Sequence, residues 1–165
     1  IIAHDVVKYY KNNTQYQVQL LDDVGNPLTD AEVTLNINGV FYIRKTNELG
    51  IAKLNINLNP GIYIITAIHP SGLSLATKVT VLPVLYANDL TMHYKDGSKF
   101  KARLLDSQGN LFFNQVVIFN INGVFYSRIT DLSGFAYLNI NLMPGKYIIS
   151  SMYGDSTISN IITIS

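Results

Sequence analysis

A seven-residue string, NINGVFY at 36–42, returns unchanged at 120–126, 84 positions further on. The same offset carries LNINL at 54–58 onto 138–142, and Pro60, Gly61, Tyr63, Ile64 and Ile65 onto Pro144, Gly145, Tyr147, Ile148 and Ile149. A long fixed period over most of a chain means one module written twice. Two domains follow, 1–84 and 85–165, both near the small end of the domain range. Each must build its own core, because a domain of this size buries only about 60% of the surface its unfolded chain exposes. The 48% hydrophobic content serves that need, and no apolar run approaches the roughly 20 residues of a membrane helix.

Period-two alternation dominates both copies. Val6, Tyr10, Tyr16, Val18 and Leu20 fall on one face, and Gln15, Gln17 and Gln19 on the other. The second copy keeps the inward set as Leu90, Met92, Tyr94, Phe100, Ala102 and Leu104, with Lys99, Lys101 and Arg103 in place of the glutamines. This is strand patterning, and the outward row is free to vary. Lys8 interrupts the inward row where the second copy has Met92. The expectation is a stem along apolar surface with its ammonium in water.

Turn chemistry divides the strands. Asn38-Gly39 and Asn122-Gly123 each separate two alternating runs, the signal of a type I′ hairpin whose two central residues take positive φ. DDVGNP at 22–27 and DSQGN at 106–110 are turns rich in Asp, Gly and Asn; a calcium loop needs six to eight oxygens, and only Asp106 remains of the carboxylates in the second copy. Tyr63 and Tyr147 follow Pro-Gly corners and match the tyrosine corner of immunoglobulin-like sandwiches, in which the hydroxyl bonds upstream backbone. With no helical periodicity, the predicted fold is all-β: two tandem antiparallel, immunoglobulin-like sandwiches of about seven strands each. LPVLYAN at 82–88 reads as a short, stiff linker with covered apolar residues, implying an elongated pair with a restricted hinge.

Composition and repetition together exclude several chemistries. The chain has no cysteine, so it has no disulfide, thiolate metal site or thiol nucleophile. A site belonging to the module should occur twice, and the histidines fail that test: His4 aligns with Asn88, His69 with Tyr153 and His93 with Tyr9. No nucleophile elbow, P-loop or dinucleotide fingerprint is present. No enzyme activity, cofactor or metal is expected. Six basic and six acidic residues up to Val84, then six and five, give nucleic acid no basic face to bind.

What repeats on the surface is an aromatic, cationic and amide set. Tyr42 and Arg44 share a strand face, as do Tyr126 and Arg128; Asn55 and Asn57 recur as Asn139 and Asn141. A tyrosine beside an arginine holds a carbohydrate or acidic group, or forms a surface cation–π pair. The asparagines, poor strand formers, bond to a neighbouring loop or edge, or form a polar contact face. Phe41 and Tyr42 lie on opposite faces, as do Phe125 and Tyr126, so one of each pair points away from the core unless that face is covered. The one sequon, Asn12-Asn13-Thr14, is a glycosylation acceptor if the chain is exported.

DVVKYYKN, QLLDDVGNPL, NINGVFY, LNINL and PGIYIITA, with their second-copy counterparts, together resemble the immunoglobulin-like repeats of adhesin-like surface proteins of methanogenic archaea, and more distantly bacterial invasin-type modules. The resemblance covers nearly the whole chain. It implies a segment of a longer, exported, cell-anchored protein, acting as spacer and adhesion module, with neighbouring repeats in the same chain and a glycan or protein of another cell as partners. It implies no catalytic residues and no membrane insertion by the segment itself. Stalk modules of this kind sometimes carry a lysine-to-asparagine cross-link, for which Lys95 and Asn160 are the second copy's candidates. The rival reading is a pair of carbohydrate-binding modules.

Overall fold

The computed structural model describes residues 1–165, which contain strands and no helix. They form two compact units, Ile1–Pro83 and Val84–Ser165. In the first, the strands are β1 (Ile2–Ala3), β2 (Val6–Tyr9), β3 (Gln15–Gln19), β4 (Glu32–Ile37), β5 (Val40–Lys45), β6 (Ile51–Asn55), β7 (Gly61–Ile68) and β8 (Ser74–Leu82). In the second they are β9 (Leu85–Ala87), β10 (Leu90–Met92), β11 (Lys99–Leu104), β12 (Val116–Ile121), β13 (Val124–Ile129), β14 (Phe135–Asn139), β15 (Gly145–Tyr153) and β16 (Ser156–Ile164).

Each unit is a sandwich of a three-stranded and a five-stranded sheet: β1-β3-β6 with β2-β8-β7-β4-β5, and β9-β11-β14 with β10-β16-β15-β12-β13. Eight strands per unit replace the expected seven because the first strand splits between the sheets. β1 pairs antiparallel with β3, after which the chain crosses and β2 runs parallel to β8. An aspartate makes the crossing in each unit. Asp5 Oδ1 accepts from Lys78 N at 2.8 Å, and Asp89 Oδ1 accepts from Ile161 N at 2.9 Å. The carboxylate thereby satisfies a backbone donor that would otherwise lack a strand partner. The presumed linker at 82–88 is also mostly strand, since β8 ends at Leu82 and β9 begins at Leu85. Val84 is buried and its carbonyl accepts from Leu105 N, which makes it part of the second unit.

Alternation builds both cores. Tyr16, Val18 and Leu20, with Ala52 and Leu54 beside them on β6, face Val33, Leu35, Ile65 and Val79 in the first unit, all at most 3% exposed. Phe100, Ala102, Leu104, Val117 and Phe119 take the equivalent places in the second. Each fully buried Leu, Ile, Val or Phe contributes about 1.5 to 3 kcal/mol relative to exposure. Gly50 and Gly134 close the cores from outside. Their φ values are 74° and 78°, and a Cβ would lie 2.6 Å from Leu20 O or 2.7 Å from Leu104 O, so only glycine fits.

The turns repeat a single device, in which an acceptor side chain gathers backbone donors. Asp22 accepts from Val24 and Asn26, Asn47 from Leu49 and Ile51, Asp106 from Gln108 and Asn110, and Asp131 from Ser133 and Phe135. Asp22 and Asp106 of the DDVGNP and DSQGN turns thus hold backbone N–H groups. At the hairpins Asn38 and Gly39 have φ of 53° and 79°, and Asn122 and Gly123 have 53° and 78°, as a type I′ turn requires. Gly39 N donates to Asn36 Oδ1, and Gly123 N to Asn120 Oδ1.

Candidate functional site

The pairing register places each tyrosine and arginine. Tyr42 stands opposite Leu35 and Arg44 opposite Val33, so both lie on the core side of the larger sheet. β5 is the edge of that sheet and lies beside β6, the edge of the smaller one. Tyr42 is accordingly half-buried against the core, while Arg44 reaches past it into solvent. Phe41, on the opposite face, is 61% exposed, and Phe125 is 64% exposed; the outward aromatic is the phenylalanine.

Between the two sheet edges lies a cleft of about 250 Å³, lined by Tyr42, Arg44, Asn55 and Asn57 over a floor that includes Ile37 and Leu54. Its equivalent in the second unit measures about 300 Å³ and is lined by Tyr126, Arg128, Asn139 and Asn141. Strands β6 and β14 end at Asn55 and Asn139, and the chain beyond them carries Asn57 and Asn141 across the opening. All eight surface residues singled out by the repeat therefore converge in two matching places.

Their geometry is also matched. The Arg44 guanidinium carbon sits 5.7 Å from the Tyr42 ring centroid, and Arg128 lies at the same distance from Tyr126. Arg44 Nη1 donates to Ile43 O at 2.9 Å and Arg128 Nη1 to Ser127 O at 2.8 Å. Each guanidinium is thus parked on its own strand, with its other N–H groups available to an acceptor. Asn55 Oδ1 accepts from Gln15 Nε2 at 2.7 Å, a cross-strand bond that the second unit replaces by Asn139 opposite Lys99. Such a cleft offers ring faces, amides and a cation: the groups that bind hydroxyl-rich or acidic ligands.

Other residues singled out in the sequence have local structural partners. Tyr63 Oη donates to Asn59 O at 2.6 Å and Tyr147 Oη to Met143 O at 2.7 Å. Asn12 Oδ1 accepts from the Thr14 amide and hydroxyl, an Asx turn around the sequon. His69 Nδ1 accepts from Ser71 N, and His93 Nδ1 bonds Ser165 Oγ. No three His, Asp or Glu side chains cluster in a way that could hold a metal ion. Lys95 lies over its neighbour Tyr94, and Asn160 Nδ2 donates to Ala87 O and Asp89 Oδ1, so the residues considered for a cross-link are engaged elsewhere.

Two sequence expectations are corrected. Lys8 is 5% exposed, and its ammonium donates to Ile56 O at 2.7 Å instead of reaching water. Strand β2 turns it inward at the end of the core where the chain beyond β6 presents a carbonyl, and burial lowers the Lys8 pKa. The even charge balance also conceals a local cationic row. Lys99, Lys101 and Arg103 project together from β11, between the buried Phe100, Ala102 and Leu104. Beside them the Phe135 and Tyr137 rings lie 6.0 Å apart between centroids, tilted by 34°. Sequence reading took this row only as an outward face free to vary; the overlooked signal was two aromatics on the outward face of the neighbouring strand.

Two sandwiches in series, each with its first strand divided between sheets and a tyrosine bonded across its corner, define a tandem immunoglobulin-like pair. Similarity to solved structures extends over nearly the whole chain. The I9-I11 tandem from titin matches with a TM-score of 0.50 and 17% identity, over 99% of this chain and 64% of that one. Invasin, a bacterial integrin-binding protein, matches with 0.44 and 18%, over 99% and 38%. The Yersinia pseudotuberculosis adhesin InvE matches with 0.39 and 12%, over 98% and 56%. At such identities the likeness concerns the fold alone, and this chain spans under two thirds of the length of each. No protein-family model and no curated protein matches the sequence.

Proposed function

We propose that this chain is a non-catalytic tandem segment of a cell-surface, adhesin-like protein, in which the two units serve as spacer and the paired clefts as contact sites. The observation that carries the reading is the duplicated cleft. Arg44, Asn55, Asn57 and their counterparts Arg128, Asn139 and Asn141 are exposed and contribute little to either core. They nevertheless recur with the same tyrosine–arginine distance, while the outward row of β3 and β11 has changed from Gln to Lys and Arg. An extracellular setting and neighbouring repeats belong to the same reading. The archaeal source implied by the sequence resemblance is not supported by the structures compared above.

Carbohydrate binding at the clefts is the second reading, favoured by the half-buried tyrosine rings beside paired amides. One experiment addresses both: the intact 165-residue chain is tested for saturable binding to whole cells and to a glycan array. The double variants Arg44→Gln/Arg128→Gln and Asn57→Ala/Asn141→Ala touch exposed groups and should leave thermal unfolding unchanged. Loss of binding by about tenfold or more in either supports contact through the clefts, and loss confined to a defined glycan identifies the carbohydrate reading. Undiminished binding in both variants removes the clefts from the proposal, and absence of any binding leaves the spacer role alone.

A further inference from the structure

Unit two carries a second hollow, of about 500 Å³, on the outer side of its smaller sheet. Its origin is topological. β9 pairs with β11 only from Leu85 to Ala87, the latter opposite Ala102. From Asn88 the chain crosses toward β10, leaving the stretch of β11 that holds Lys99 and Lys101 without a strand partner on that side. The register aligns Arg103 between Tyr86 and Phe135, Lys101 beside Tyr137 and Lys99 beside Asn139. Three cations thus run down the middle of a face with aromatic rings on both sides. Alternate residues on a strand lie about 6.6 Å apart, so the row extends for about 13 Å.

The charges are set over the rings. Lys101 Nζ lies 5.0 Å from the Phe135 centroid, and Arg103 Cζ lies 5.4 Å from it. Lys99, Lys101 and Arg103 are not engaged in a salt bridge as Lys45 is with Asp30. Asp89, on the rim, is committed to Ile161 N and Asn160 Nδ2, and the backbone N–H of Ile161 holds its carboxyl below the usual range. Tyr137 remains 40% exposed. None of this is inherited from the module. The matching face of unit one carries Gln15, Gln17 and Gln19 flanked by Ile51 and Lys53, with no aromatic ring on either β3 or β6 pointing outward.

We propose that this face binds an acidic polysaccharide, its sugar rings lying against Phe135 and Tyr137 and its carboxylate or sulfate groups meeting Lys99, Lys101 and Arg103. Charge complementarity selects an anion, and charge-assisted hydrogen bonds to such groups are about twice as strong as neutral ones. The aromatic rings and the Asn88 amide at the hollow suit a pyranose, whose faces are apolar and whose edges carry hydroxyls. A nucleic acid strand fits less well: its affinity grows with the number of phosphates neutralised, and here three cations are followed by the Asp89 carboxylate. The site is separate from the duplicated clefts and stands whether or not those bind anything.

The test is affinity electrophoresis of the intact chain through gels containing alginate, dextran sulfate or neutral dextran, with a labelled oligo-dT titration in parallel. Retardation is expected with alginate, dextran sulfate or both, which separates carboxylate from sulfate preference, and none with dextran. Changing Lys99, Lys101 and Arg103 together to glutamine installs the residues that unit one tolerates at these positions, and should weaken binding by about tenfold or more. Tyr137→Ala keeps every charge and should still weaken it several-fold, which simple ion exchange would not. Arg44→Gln/Arg128→Gln should leave retardation unchanged, so failure of the cleft reading is told apart from failure here. Migration unaffected by either acidic polymer, an undiminished shift in the triple variant or in Tyr137→Ala, or equally tight binding of oligo-dT would each overturn the proposal.

Discussion

In the first unit the wholly buried Tyr16 meets Thr77 Oγ1 through its hydroxyl at 2.8 Å. In the second the same position is Phe100, whose ring packs edge-on against Phe119 at 5.7 Å and 88°. The partner of the lost hydroxyl has changed too: Asn160 stands where Thr77 was and turns its amide to Ala87 O and Asp89. Lys8 and Met92 form a similar contrast, a buried ammonium on Ile56 O against a thioether with no charge to satisfy. Against this, several backbone-setting residues are the same in both copies. Thr46 Oγ1 accepts from Ala31 N and donates to Leu28 O; Thr130 Oγ1 does the same with Gln115 N and Phe112 O. Cores accept substitutions that conserve volume and satisfy their polar groups, whereas a strand connection of fixed geometry accepts very few.

The largest expected effect tests that division. Gly50→Ala and Gly134→Ala force a Cβ to within 2.6 and 2.7 Å of a backbone carbonyl at positive φ, and neither Leu20 nor Leu104 can yield without moving its strand. Each should cost its unit roughly 3 kcal/mol or more. Gly39→Ala has φ of 79° but open space around the new atom, so it carries only the left-handed penalty, about 1 to 2 kcal/mol. Urea denaturation of the three variants measures this. A cost at Gly50 no greater than at Gly39 would mean that the close approach is not what constrains the turn.

A smaller effect sharpens the contrast between cores. Tyr16→Phe supplies the residue of the second unit without its compensating partner, leaving the Thr77 hydroxyl unpaired at a cost of about 1 kcal/mol. The alkaline response should also change. Burial first, opposed by the Thr77 hydrogen bond, raises the Tyr16 pKa above its ordinary 10.0. Its contribution is therefore intact below pH 10.0 and is lost as pH rises beyond it, because the unfolded chain ionises first. Lys8 runs the other way: its folded pKa is below 10.5, so the penalty for burying its charge is relieved as pH climbs toward that value. Denaturation midpoints followed from about pH 8 to 11 should fall at the alkaline end in Lys8→Met and rise in Tyr16→Phe. Identical profiles would show that neither group titrates with folding.

How far this was legible in the sequence depends on whether a feature has a period. Tyr16, Val18 and Leu20 announce their strand by alternation, and Asn38-Gly39 announces its turn because few other pairs accept two positive φ values. β1 spans only Ile2–Ala3, too short for any pattern, so the division of the first strand was invisible and Leu85–Ala87 passed for linker. The matching clefts were legible as a residue set, since repetition exposed Tyr42, Arg44, Asn55 and Asn57 together; their convergence needed the register of β5 against β4. The cationic face needed more, because Lys99, Lys101 and Arg103 acquire meaning only once Phe135 and Tyr137 are paired beside them.

The smallest expected effect concerns Asp30 and Lys45. Their charged atoms are 3.7 Å apart with side chains 83% and 63% exposed, and the second unit replaces them by Asn114 and Ile129. An exposed pair of this kind contributes about 0.5 kcal/mol or less, so Lys45→Ala should shift the unfolding midpoint barely at all, and less still at high salt. Asp30 has another role. Its φ is 52° and that of Asn114 is 57°, and aspartate and asparagine are the residues other than glycine that enter this region most readily. Asp30→Asn should accordingly be neutral, and Asp30→Ala should cost about 1 kcal/mol, more than loss of the lysine. Equal effects from Lys45→Ala and Asp30→Ala, both abolished by salt, would place the contribution in the ion pair and remove this position from the backbone frame that the two units share.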